Sequence, residues 1–182
     1  MSRFLILYGT TEGQTAKISR YIGGVLEAFG HTVELADAQK LPAGLKINDF
    51  DGVLIGASMH ASKHDSRVRD FVKANHAALD EMPSGFFSVS LTAAEPKEED
   101  KAGLYRLIAE FFDETGWHPE KVGIFAGALL YTQYNFIKRM LMKMVMKLGG
   151  KPTDTSRDYE CTDWEGIAQY ARTFSSSLTE AN

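Results

Sequence analysis

A single cysteine, Cys161, stands in 182 residues, which excludes an internal disulfide and fits a reducing cytoplasm. Long uncharged apolar runs are missing as well. The first apolar stretch, Phe4 to Tyr8, lies between Arg3 and Gly9 and is too short for a secretory signal. No other run approaches the length needed to cross a bilayer. There is no basic excess: 20 Lys and Arg face 24 Asp and Glu, for a net charge of −4, which excludes a generally basic nucleic-acid binder. No Cys/His group has metal-ligand spacing, with His31, His76 and His118 scattered over separate segments. No serine sits in a G-x-S-x-G setting either, so neither metal nor serine-nucleophile chemistry is expected.

What remains is ordinary for a globular protein: 44% apolar and 24% charged residues, without an internal repeat or linker, read as one domain over 1–182. Strand-like and helix-like segments alternate throughout. Apolar runs at Phe4–Tyr8, Asp51–Ala57, Gly85–Leu91 and Val122–Leu129, with the alternating His31–Ala36, predict five strands. Helical spacing recurs after Gln14, over Ser66–Leu79 and over Lys101–Thr115. Thr162-Asp163-Trp164-Glu165 reads as a capping box opening a last helix. The expectation is an α/β fold, a doubly wound five-stranded parallel sheet of order 2-1-3-4-5. Ligands of such sheets lie beyond the carboxyl ends of the strands, where strand order reverses.

The segment after the first strand carries the chemistry. Thr10-Thr11-Glu12-Gly13-Gln14-Thr15 joins a buried strand to a helix, so backbone N–H groups and the helix dipole meet an anion there. Hydroxyls at Thr10, Thr11 and Thr15 add donors. The loop lacks the lysine of a nucleotide-triphosphate loop and the glycines of a dinucleotide fingerprint. A terminal monophosphate ester held by neutral donors suits it, as in flavodoxin-like proteins, whose FMN loop it resembles. The bland alternative is an ordinary turn with Thr11 or Thr15 as helix cap. In the expected sheet, two more loops reach the same edge: Ser58–Asp65, beginning Ser58-Met59-His60-Ala61, and Thr92–Asp100, following Leu91 and beginning Thr92-Ala93-Ala94. Their small and hydroxyl residues leave room for a flat ring. His60 and His64 invite acid–base roles, but solvent-exposed loop histidines are the expectation. No glycine interrupts Ser58–Asp65, so a backbone flip toward the cofactor is disfavoured.

Between the fifth strand and the last helix lies an insertion over about 130–152, containing Phe136-Ile137-Lys138-Arg139-Met140-Leu141-Met142-Lys143-Met144-Val145-Met146-Lys147-Leu148. Arg139, Lys143 and Lys147 fall on one helical face, and apolar residues fill much of the rest. Gly149-Gly150 and Pro152 should end this amphipathic helix. It is either packed on the sheet with its lysines reaching outward, or it faces a membrane or a flat apolar substrate. The basic helix in an acidic chain tilts the expectation toward the second.

Several motifs match one family together: Thr10–Thr15, Ile55-Gly56-Ala57-Ser58, Met82-Pro83-Ser84, Ala126-Gly127-Ala128-Leu129-x-Tyr131, the Met/Lys helix, Thr153-Asp154-Thr155 and Thr162–Glu165. Over nearly its whole length the chain resembles the flavodoxin-like, menaquinone-dependent protoporphyrinogen IX dehydrogenases of bacteria. The resemblance implies non-covalent FMN, oxidation of protoporphyrinogen IX to protoporphyrin IX in haem synthesis, and electron delivery to menaquinone or ubiquinone. The flavin would carry the chemistry without a catalytic side chain. Cofactor contacts fall on Thr10, Thr11, Glu12, Gly13, Gln14, Thr15, Ser58, Met59, His60, Ala61, Leu91, Thr92, Ala93 and Ala94. Tyr131, Arg139, Lys143 and Lys147 would meet the substrate or the inner face of the cell membrane, and a homo-oligomer is compatible with this. The alternatives are a flavodoxin-type electron carrier, whose strongly acidic surface this chain lacks, and an NAD(P)H:quinone reductase, for which no nicotinamide signal is present.

Overall fold

Alternate side chains of an extended strand point to opposite faces, so a run apolar at every position must be covered twice. Both covers are present in the computed structural model, which describes residues 1–94, 98–148 and 153–179. Five parallel strands, β1 (Arg3–Gly9), β2 (Thr32–Asp37), β3 (Gly52–His60), β4 (Ser84–Ser90) and β5 (Lys121–Ala126), pair in the expected order 2-1-3-4-5. The helices are α1 (Gln14–Ala28), α2 (Ser66–Asp80), α3 (Glu98–Thr115), α4 (Phe136–Leu148) and α5 (Trp164–Thr179). Leu5, Leu7, Val53, Ile55 and Phe86 face α2 and α3, where Val68, Val72, Leu104, Ile108 and Phe111 cover them. Phe4, Ile6, Leu54, Phe87 and Phe125 face α1 and α5, where Ile18, Ile22, Leu26, Ile167, Ala171 and Phe174 close the second core. With both faces filled, the open ground for a ligand is the carboxyl edge of the sheet.

Three local readings change. β3 does not stop at Ala57. It runs to His60 and turns through Ala61 and Ser62 into a short antiparallel return at Lys63–His64, pairing Met59 with His64 and His60 with Lys63. The expected loop is therefore a hairpin, and both turn residues are left-handed, Ala61 at φ 47° and Ser62 at φ 61°. The predicted fifth strand is split. Sheet pairing ends at Ala126, Gly127 N–H donates to Ser90 O, and Ala128–Leu129 pairs antiparallel with Tyr159–Glu160 in a separate ribbon.

The capping box is not formed. Asp163 caps α5: its carboxylate accepts the Gly166 N–H at 3.1 Å and its carbonyl accepts from Ile167. The Thr162 hydroxyl is spent elsewhere, donating to Ala126 O at 2.9 Å and accepting from Gln14 Nε2. Glu165 pairs with Arg172 instead of reaching back. The expected stop at Gly149-Gly150 and Pro152 lies outside the described residues.

Close packing between β3 and β4 depends on Gly56. A Cβ there would stand 2.2 Å from the Phe87 ring, which is fully buried and has no room to withdraw. Gly56→Ala should therefore destabilise the fold by about 1–3 kcal/mol, read as a lowered urea midpoint at unchanged slope. An unchanged midpoint would show that the second core is looser than its packing indicates.

Candidate functional site

The turn that leaves β1 ends in Gly13, left-handed at φ 88°, and α1 begins without a side-chain cap. The first α1-side amide to find a carbonyl is Lys17, which donates to Gly13 O. The amides of Gln14, Thr15 and Ala16 precede it and have no intrahelical acceptor. Neither Thr11 nor Thr15 supplies the cap that the bland reading required. Thr10 shapes the turn by accepting the Gly13 N–H at 2.9 Å. The Thr15 hydroxyl is buried with no hydrogen-bond partner, and so is the hydroxyl of Ser58 on β3. Orphaned donors at the mouth of an uncapped helix are what an anionic group would satisfy.

These groups share a cavity of about 590 Å³ at the carboxyl edge of the sheet. Of the residues expected at the cofactor, Thr10, Glu12, Gln14, Thr15, Ser58, Met59, His60, Ala61, Leu91 and Thr92 line it. Thr11 is exposed beside it, and Gly13 faces a hollow on the far side of the turn. Ala93 and Ala94 lie in a helical turn at Thr92–Ala94 behind the wall, where Ala93 N–H donates to Ser90 Oγ. Of the rest of the expected third loop, residues 95–97 fall outside the described residues, and residues 98–100 already belong to α3, which starts earlier than the expected Lys101.

Three wall segments escaped the sequence reading. The first turns of α3 contribute Gly103, Leu104, Arg106 and Leu107; Tyr134 and Met142 come from the segment after β5; and Gly127 and Ala128 close the floor. Of these, the segment after β5 left a signal, since Met142 lies on the Met/Lys helix expected to face a membrane or a flat apolar substrate.

Tyr134 donates its hydroxyl proton to Glu12 at 2.7 Å. Burial and the adjacent carboxylate both raise the Tyr134 pKa, so it remains a donor. Gln14 Nε2 reaches Glu160 and Thr162 at 2.9 Å, and Lys17 pairs with Glu160. Arg67 links the other flank, donating to Thr10 O at 3.3 Å while paired with Asp65. Burial works to raise the Asp65 carboxyl, but the Arg67 hydrogen bonds and charge hold it below its ordinary value.

The two loop histidines part company. His60 is exposed at the cavity, as expected of a loop histidine. His64 is buried, 8% exposed, with Nε2 2.9 Å from Ser88 Oγ and its ring edge-on to Phe86 and Phe111. The expectation of solvent for His64 is overturned because the hairpin return folds it under β3. Burial pushes its pKa down to about 4.

Tyr131 is also corrected. It is fully buried against Tyr134 and Tyr159, so no surface remains for substrate or membrane. Arg139 is half-buried, with Nη2 donating to Tyr134 O at 3.1 Å, while Lys143 and Lys147 are exposed. The exposed apolar stripe of α4 is Phe136, Met140 and Met144, at 76%, 57% and 57%. For these side chains the packed-on-the-sheet alternative fails.

Comparison with known proteins agrees with this geometry. A family model described as a flavodoxin domain matches residues 5–156. A protoporphyrinogen IX dehydrogenase (quinone) of Escherichia coli K12 is 34% identical over 169 residues, 92% of each chain. The chain belongs to this flavodoxin-like family. A protein of the same name from Leishmania major is 33% identical over 174 residues, covering 93% of this chain and 73% of its own. Among solved structures, a short-chain flavodoxin associated with a bacterial microcompartment superposes with a TM-score of 0.61 at 14% identity, over 98% of this chain and 99% of that one.

Buried neutral His64 makes stability depend on pH. Its pKa is lower folded than unfolded, so its contribution is complete above the unfolded value of 6.5 and is lost as pH falls toward about 4. The loss amounts to about 3 kcal/mol. Denaturation midpoints at pH 7 and pH 4.5 should diverge in the native protein and converge in His64→Gln. Equal divergence in both would place the acid sensitivity on other groups.

Proposed function

We propose that this protein oxidises protoporphyrinogen IX with FMN as its resident cofactor and passes the electrons to a quinone at a membrane surface. The observation that carries the reading is the set of partnerless donors at an uncapped α1, in a chain alike end to end to enzymes of that name. When bound, FMN would supply two-electron redox chemistry, so the six-electron oxidation would take three cycles, each reducing one quinone.

The residues that would hold it follow from their positions. The amides of Gln14 and Thr15, with the hydroxyls of Thr10 and Thr15, would take the phosphate. Glu12 is an acid in the same turn, and the Tyr134 hydroxyl binds its carboxylate. The wall formed by Ser58, Met59, His60 and Ala61, facing Leu91 and Thr92, would border the ring. Leu104, Leu107 and Met142 shed water from the same space, which lowers the local dielectric around a bound substrate. His64 plays no part as a proton carrier, being buried, neutral and bonded to Ser88.

The exposed Phe136, Met140 and Met144, with Lys143 and Lys147 beside them, suit an anionic lipid surface, where apolar burial and lysine attraction add. Among the described residues no helix is long and apolar enough to cross a membrane, so contact would be peripheral. Met142, on the same helix, lines the cavity, so a quinone in the bilayer would lie next to the cofactor end of the site.

Two outcomes test the reading. Thr15→Val replaces a partnerless buried hydroxyl by an isostere; it should leave apo-protein stability within about 1 kcal/mol and weaken FMN by about tenfold. Unchanged FMN affinity, measured by flavin fluorescence, would remove Thr15 from the site. The FMN-loaded protein should oxidise protoporphyrinogen IX with menaquinone carried in phosphatidylglycerol vesicles. Met140→Ser with Met144→Ser should lower that rate about tenfold while sparing turnover with a water-soluble quinone. Equal loss with both acceptors would remove the membrane role, and absence of porphyrinogen oxidation with FMN bound would leave an electron carrier.

A further inference from the structure

The charges around the cavity are divided between its two sides. Glu12, its one lining carboxylate among the described residues, sits on the α1 side of the sheet and accepts the Tyr134 hydroxyl proton. Arg106, the one lining arginine or lysine among them, comes from α3 on the opposite face of the sheet. It belongs to the helical face Gly103–Arg106–Leu107, where Gly103 leaves open space at the position of a Cβ and Leu107 adds an apolar wall. Its ion pair is loose: Nε stands 3.6 Å from Glu110 Oε1, between side chains 75% and 62% exposed. An exposed pair of this kind contributes little, so the guanidinium can leave it for a better partner.

We propose that Arg106 determines specificity by pairing with a carboxylate on the acidic edge of the substrate. The inference rests on the porphyrinogen reading and deepens it. Protoporphyrinogen IX is an apolar macrocycle carrying two propionate side chains along one edge. Apolar wall is offered by Leu104, Leu107 and Met142, and a planar two-pronged donor for a carboxylate is offered by Arg106. Glu12 at the other side of the cavity gives a propionate no favourable partner. The substrate therefore enters with its acidic edge toward α3 and its apolar edge away from it. Among the described residues, neither the hairpin nor the turn after β4 supplies an arginine or lysine to the cavity, so this duty falls on α3.

The test measures binding of protoporphyrin IX and of its dimethyl ester to the FMN-loaded protein, by fluorescence quenching, alongside steady-state kinetics. Arg106→Gln should weaken the free diacid about fivefold and leave the ester within twofold of the native protein. KM for protoporphyrinogen IX should rise by a similar factor at unchanged kcat, and Arg106→Lys should recover part of the affinity. FMN affinity should be the same in all forms, because Arg106 is assigned to the substrate. Raised salt should erase the native preference for the diacid, since the contact is solvent-accessible. Equal loss of diacid and ester, no loss of either, or a fall in FMN affinity would each overturn the assignment while porphyrinogen oxidation by the native protein still stood. No porphyrin binding by the FMN-loaded native protein would overturn both readings.

Discussion

A parallel sheet covered on both faces has one place where backbone donors can remain open without exposing its core, the carboxyl ends of its strands, and in this chain that place is the uncapped start of α1. Gly13 brings the chain into the helix in a left-handed conformation, and no side chain takes the first amides. Thr15 is buried directly behind them with its hydroxyl unsatisfied. Such a helix start is costly when empty and is stabilised by an anion. The surrounding contacts hold it in shape. Thr10 fixes the turn internally, Arg67 ties it to the start of α2, and Gln14 and Lys17 tie it to Glu160 and Thr162, more than 140 residues away in sequence.

The hairpin beyond β3 is held by a different balance. Ala61 and Ser62 both occupy left-handed backbone, which favours glycine and costs about 1–2 kcal/mol for each other residue. The turn persists because its return strand is anchored. His64 packs edge-on against the stacked rings of Phe86 and Phe111 and is bonded to Ser88, so opening the turn would pull a buried ring away from the core and strand a buried hydroxyl. Glycine at the tip would give an easier bend and a looser one. With alanine and serine there, the backbone facing the cavity has few alternative conformations.

Legibility in the sequence followed how local the governing physics was. Continuous apolar runs announce strands buried on both faces, so Phe4–Tyr8 and Asp51–Ala57 could be placed and the sheet order followed from connectivity. The hydroxyl turn could be read because its donors are consecutive. His64 and Tyr131 could not, because their burial depends on what folds over them: a two-residue return strand for one, and two distant tyrosines for the other. Thr162 has the right spacing for a cap, yet Ala126 O and Gln14 compete for its hydroxyl and win. Arg106 was hidden for a related reason. A helix wall reaches a cavity through tertiary packing, and nothing in the local pattern of α3 distinguishes that face from a solvated one.

Glu12 poses the sharpest physical problem for the proposed site, an acid in the turn that would receive the phosphate. Left free, a carboxylate there would oppose a phosphate by several kcal/mol in a partly dry pocket. Here Tyr134 donates to it, and burial together with that carboxylate keeps the tyrosine protonated. The hydrogen bond neutralises no charge, but it draws the carboxylate toward the segment after β5 and satisfies one of its lone pairs. The same contact gives the Met/Lys helix its attachment. Tyr134 packs on Tyr131, its carbonyl accepts Arg139 Nη2, and Met142 closes the cavity beside it. A phosphate that displaced Glu12 would strain this path, whereas one that accepted its position would find the helix already seated. The shape of the turn and the placement of α4 are therefore two ends of one set of contacts.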